Sequence, residues 1–162
     1  MSEREKPAAA DEAGRREAQP DFDYGLLPEL IGYNLRRAQD RVFNDFMTSM
    51  ADHDITPGQF GVLTLIEANT GLNQTQLGNA IGIDRSTVVA VIDRLEDRGL
   101  VERAPSPTDR RSYALRLSPD GARLVATLRP LVRRHEARIA ADLTADEQET
   151  LRRLLRRIAG AR

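Results

Sequence analysis

Between Gly99 and Ser118 the spacing of apolar residues changes from that of a helix to that of a strand, and then back. Upstream, Val88, Val91, Ile92 and Leu95 stand at i, i+3, i+4 and i+7, one face of a helix. In between, Leu100–Arg103 reads as a short strand and Pro105-Ser106-Pro107-Thr108-Asp109 as a turn cluster. Tyr113, Leu115 and Leu117 then alternate with Ala114 and Arg116. From Ser118-Pro119 onward, Leu124, Val125, Leu128, Val132, Ile139 and Leu143 return to the helical period, with Pro130 placed to bend that helix. An isolated hairpin is marginal in water, so this one must lie against helices. The expected class is mainly α with one small β-hairpin.

Capping chemistry divides the rest. Leu27, Ile31, Leu35, Ala38, Val42 and Phe46 form one stripe. They predict a helix from about Leu26 to Ala51, with Pro28 in its first turn, roughly 37 Å long. Thr56-Pro57-Gly58-Gln59, Asn73-Gln74-Thr75-Gln76 and Thr144-Ala145-Asp146-Glu147 each place a cap residue three positions before a Gln or Glu, the pattern of a capping box. Asp84 caps a further helix, and Gly82 and Gly99 suit left-handed stops. Leu151, Leu154, Leu155 and Ile158 make the last helix amphipathic. Residues 1–20, rich in Ala, Glu, Arg and Pro without apolar period, read as a disordered tail. Residues 21–162 read as a single domain. Two short helices joined at Ile81-Gly82-Ile83-Asp84 form a helix-turn-helix, followed by the hairpin.

Composition removes several function classes. The chain has no Cys, and its two His residues, His53 and His135, lie far apart, so neither a thiol nor a metal site is expected. No cofactor is implied. No apolar run approaches a membrane span and the charged N-terminus is no secretory signal, which predicts a cytoplasmic protein. There is no Gly-rich phosphate loop and no nucleophile motif, so an enzyme is not expected. The net charge of −1 hides an acidic front and a basic back: residues 21–83 carry −5 and residues 117–162 carry +4. Local placement, not total charge, must decide whether nucleic acid is a partner.

With Val88, Val91, Ile92 and Leu95 inward, the helix after Asp84 turns Ser86, Ala90 and Asp93 outward. Val89 and Arg94 flank them, and Arg85 and Thr87 lie in its first turn. Small and hydroxyl residues on an exposed face permit close approach to a surface. They suit phosphates, base edges and thymine methyls, although a solvated face without function has the same look. Arg103, Arg110, Arg111 and Arg116 cluster in the hairpin, with Asp109 at its tip placed to hold an Arg. An Arg at a hairpin tip suits a narrow minor groove; a solvated charged turn is the alternative.

Segment 73–118 resembles the winged helix-turn-helix of the MarR family of bacterial transcriptional regulators. The likeness rests on a helix running into LEDRGLVER, on Asp-x-Arg at Asp109 and Arg111, and on the exit LRLSPDG. It extends over about residues 26–160. The resemblance implies a homodimer on an inverted repeat of double-stranded DNA, with dimerisation helices at 26–51 and 119–160 and a winged lobe at 56–118. The apolar stripes of those helices exceed what one small lobe can cover. By resemblance, Arg85, Ser86, Thr87, Val89 and Ala90 read the major groove and Arg94 meets phosphate. Arg111 enters the minor groove, held by Asp109, with Arg110 supporting.

Many members of the family are repressors released by a small molecule bound between dimerisation helices and lobe. The matching stretch nominates Tyr33, Arg36, Arg37, His53 and Phe60, with Asp40, for an anionic or aromatic effector. The competing explanation is that Arg36 and Arg37 sit in water or pair with Asp40. His135 is expected at an interface. A winged module that binds protein, or shapes DNA without an effector, remains the alternative function.

Overall fold

The computed structural model describes residues 22–105 and 113–160. The tail at 1–20 and the hairpin tip with Asp109, Arg110 and Arg111 lie outside the described residues.

Among the described residues, six α-helices and one hairpin follow in order: α1 (Ile31–Ser49), α2 (Pro57–Ala68), α3 (Gln74–Ile81), α4 (Arg85–Asp97), β1 (Val101–Pro105), β2 (Tyr113–Leu117), α5 (Pro119–Ile139) and α6 (Ala145–Ile158). All three capping boxes form. Thr56 Oγ1 accepts from the Gln59 amide while Gln59 Oε1 accepts from the Thr56 amide, and the same reciprocity holds for Asn73 with Gln76 and for Thr144 with Glu147. Each satisfies donors that a helix start leaves without partners.

The first helix is shorter than its stripe suggests. Leu27–Glu29, including Pro28, form a 3-10 turn, Leu30 is extended (φ −85°, ψ 123°), and α1 begins at Ile31. Leu30 has no capping side chain; instead Asn34 Nδ2 donates to the Pro28 and Leu30 carbonyls at 2.8 and 2.9 Å and ties the turn to the helix. The 19 residues of α1 span about 28 Å, not 37 Å. Likewise α5 stops at Ile139, so Leu143 lies beyond it, and Pro130 stands inside the helix.

The hairpin is antiparallel, with Val101 opposite Leu117 and Arg103 opposite Leu115. Strict alternation fails in β2: Ala114 and Leu115 are both buried, and Tyr113 is 62% exposed. The cause is a third segment. Leu115 N–H donates to the Leu72 carbonyl at 2.8 Å, so the turn between α2 and α3 covers the outer edge of β2. The hairpin is docked onto α5 through Gly121. A Cβ there would stand 2.0 Å from the Leu100 carbonyl oxygen, a contact only glycine avoids. Ser118 completes the junction: its amide donates to Leu100 O and its hydroxyl to Gly99 O.

One apolar cluster joins Phe46 and Met50, Ile55, Val62, Leu63 and Ile66, Leu77, Val88, Ile92 and Leu95 to Leu100, Val101 and Leu115, and to Val125 and Leu128 of α5. The core therefore sits beneath α2, α3, α4 and the hairpin, and takes in only the end of α1 and the first half of α5. Helix α6 buries no residue, and α1 buries only Phe46. No helix among the described residues is long and apolar enough to cross a membrane.

Candidate nucleic-acid interface

The turn between α3 and α4 is tight for stated reasons. Gly82 takes φ +75° and its amide donates to the Gly78 carbonyl at 2.8 Å. Gly78 lets the helices close: a Cβ there would meet Val88 Cγ2 at 3.1 Å and the Ile83 carbonyl at 3.2 Å. Val88, Ile92 and Leu95 face the core, Val89 and Val91 are half-buried, and Arg85, Ser86, Thr87, Ala90, Asp93 and Arg94 are exposed. The candidate α4 residues are thus solvent-facing except Val89, with Arg85 and Arg94, nine positions apart, on opposite flanks of that face.

At the head of α4, Asp84 caps the helix by accepting from the Thr87 amide at 3.0 Å. It also accepts from both neighbouring hydroxyls: Thr87 Oγ1 donates to Oδ2 at 2.6 Å and Ser86 Oγ donates to Oδ1. These bonds, led by the one from Ser86, hold the Asp84 carboxyl far below the usual carboxylate range.

Asp93 is explained by a residue from the hairpin. Arg103 reaches from β1 to both Asp93 and Glu96 and forms ion pairs with each. It is therefore not a free cation of the wing, and Asp93 does not pair with Arg85 or Arg94. Arg116 is likewise engaged, pairing across the strands with Glu102 at 2.7 Å. Arg85 and Arg94 have no ion-pair partner among the described residues. The α4 surface is accordingly left with Arg85 and Arg94 outward and with Asp93 neutralised, while Asp97 stands exposed at its C-terminal end.

The effector candidates do not converge within one chain. Arg37 lies over the Tyr33 ring at 5.8 Å, and Arg36 pairs weakly with Asp40 at 3.8 Å, all on the outer part of α1. Phe60 instead packs on Phe46 in the core, with centroids 6.2 Å apart. Phe46 is thirteen positions, about 20 Å, along α1 from Tyr33. His53 sits in the 3-10 turn Ala51–His53; its carbonyl and that of Asp54 accept from Arg98, the C-cap residue of α4, at 3.0 and 2.6 Å.

His135, expected at an interface, is instead internal. It is 2% exposed and lies inside the chain, edge-on to Phe46, with Nδ1 2.6 Å from Asp45 Oδ2. Arg138 donates to the same carboxylate at 2.8 Å, and the two partners, Arg138 foremost, lower the Asp45 pKa to about 2. Beside this cluster lies a hollow of about 390 Å³ between α1 and α5, lined by Asp45, Thr48, Ser49, Leu131, Arg134 and Arg138. No local pattern announces it, because its two walls are some ninety positions apart.

A helix-turn-helix whose second helix carries an exposed, cation-flanked face beside a docked hairpin defines a winged-helix regulator. A model described as the MarR family matches residues 53–112. The chain is 36% identical over 96% of its length, and 90% of the relative's, to a putative transcriptional regulatory protein for the hcr operon of Thauera aromatica. Among solved structures it is similar to the transcriptional repressor CouR bound to a 23-mer DNA duplex (45% identity, TM-score 0.81, 86% of this chain and 99% of that one). It is also similar to CouR bound to p-coumaroyl-CoA (43% identity, TM-score 0.79, 86% and 98%). The chain belongs to the MarR family of transcriptional regulators.

Proposed function

We propose that this protein is a homodimeric repressor that binds an inverted-repeat operator through α4 and its wing, and leaves the DNA when a small acidic or acyl effector binds. The observation that carries the DNA assignment is the α4 surface: Arg85, Ser86, Thr87, Ala90 and Arg94 are exposed together while Arg103 cancels Asp93. Val89, half-buried at the rim, supports the same face. Arg111, oriented by Asp109 and flanked by Arg110, is the proposed minor-groove contact. Dimerisation through α1, α5 and α6 is supported by Ile31, Leu35, Val42, Phe43, Leu151, Leu154, Leu155 and Ile158, all exposed in the single chain. Such a protein works in the cytoplasm, by binding and not by catalysis.

For the effector, the hollow between α1 and α5 fits better than the outer α1 group, because Arg134 lines a concavity there, beside an Arg138 already held by Asp45. Such cations suit carboxylate or phosphate. That CouR binds a CoA thioester supports an effector of this class.

The test is a band shift with the DNA upstream of the chain's own gene, repeated with aromatic acids and aryl-CoA thioesters. The expected result is a retarded complex that one of these compounds dissolves. Retention of every complex at saturating compound contradicts effector release. Absence of any specific shift contradicts the operator assignment.

A further inference from the structure

The hydroxyls at the head of α4 have a defined polarity. A hydroxyl offers one hydrogen and two lone pairs. Ser86 and Thr87 both spend the hydrogen on the Asp84 carboxylate. The carboxylate, being ionised, has no hydrogen to return and accepts only. Both side chains are exposed on the face assigned to DNA, so what they present outward is lone pairs alone. Phosphate oxygens are acceptors too, and a hydroxyl without a free hydrogen gives them nothing. In the major groove the available donors are the N6 amino group of adenine and the N4 amino group of cytosine; thymine O4 and guanine O6 and N7 are acceptors.

We infer that Asp84 is a specificity-positioning residue: by accepting both hydroxyl hydrogens it fixes Ser86 and Thr87 as acceptor-only contacts that read base amino groups and not phosphates or base carbonyls. The inference rests on the reading of α4 as the DNA-recognition helix. It assigns the acidic cap a role beyond the helix start. Asparagine caps a helix about as well as aspartate. Its amide nitrogen, however, donates where the second carboxylate oxygen accepts. In Asp84→Asn one hydroxyl must therefore turn its hydrogen outward.

The test uses the full chain. A randomised duplex pool is selected on the protein, and the enriched duplex is resynthesised with single exocyclic groups removed: purine for adenine, or 2-pyrimidinone for cytosine, deletes an amino group. 5-Methyl-2-pyrimidinone in place of thymine removes O4 and keeps the C5 methyl that the groove also presents. The inference expects at least one amino deletion to weaken binding roughly three- to tenfold, the range of one hydrogen bond. That loss should vanish in Ser86→Ala or Thr87→Val, whereas O4 deletions should lose the same affinity in those variants as in the parent. In Asp84→Asn sensitivity to that amino group should fall and sensitivity to a carbonyl should appear, with helix content unchanged by circular dichroism. The inference is overturned if the affinity lost in Ser86→Ala and Thr87→Val tracks a carbonyl, if it tracks no base group at all, or if Asp84→Asn leaves the amino dependence intact. A pool in which no sequence is enriched overturns the DNA reading itself, and the inference with it; enrichment with the wrong polarity overturns the inference alone.

Discussion

Arg94 and Arg103 look alike in the sequence, two cations close to the start of the hairpin, and the structure gives them opposite roles. Arg103 is bound to Asp93 and Glu96 and holds β1 to α4, while Arg94 is exposed without an acidic partner among the described residues. Arg94→Ala is expected to weaken binding to all duplexes alike and to lower the slope of log affinity against log salt by about one, as the loss of one phosphate contact does. Arg111→Ala, by contrast, should cost about 1–3 kcal/mol of operator binding by analogy with a base contact. Titrations at matched salt with specific and random duplexes separate the two. Local side-chain roles were legible where both partners lie within a few positions, as Asp84 does with Thr87. They were not legible where folding supplies the partner: nothing near Asp93 in sequence announces Arg103, and nothing near Asp45 announces His135 and Arg138.

Element boundaries followed the same division. Helices starting at Thr56, Asn73, Asp84, Ser118 and Thr144 were readable because each cap is a local bargain between a side chain and an amide a few residues on. The start of α1 is hidden from the apolar spacing because a 3-10 turn around Pro28 continues that spacing without continuing the helix. The burial of Ala114 was hidden because the α2–α3 turn covers β2 from outside. Gly121 was visible as part of LRLSPDG, but its reason is tertiary, the Leu100 carbonyl against its Cα. Gly121→Ala is expected to destabilise the fold by about 1–3 kcal/mol through overpacking, read by urea denaturation. The clamp of α1 on α5 gives a pH signature. Asp45 titrates near 3.8 when unpaired and near 2 in the fold. Its contribution is therefore complete above about pH 4 and lost as pH falls toward 2. Asp45→Asn should be less stable than the parent at neutral pH, and that gap should close on acidification across this window, as followed by denaturation at a series of pH values.

For the whole molecule, the distribution of burial is the main argument. The core is complete under α2, α3, α4 and the hairpin, whereas α6 keeps Leu151, Leu154, Leu155 and Ile158 at 37–58% exposure. A second copy of the chain supplies what these side chains lack, and burying the part of one such leucine still exposed is worth about 1 kcal/mol. Leu154→Glu is expected to shift the chain toward monomer in sedimentation equilibrium at micromolar concentration, with the lobe still folded. The family and the winged helix-turn-helix were legible from a change of apolar period and a few motifs. The hollow between α1 and α5 was not, because it is made by two helices from opposite ends of the chain. Two-fold symmetry is the property on which dimer, wing and recognition helix all depend. The most direct test is therefore the symmetry of the DNA sequence selected by the full-length protein from a random pool. The expected site is an inverted repeat whose half-sites lie about ten base pairs apart, centre to centre, bound by two chains. A single asymmetric half-site bound by one chain, or no selected sequence, would contradict it.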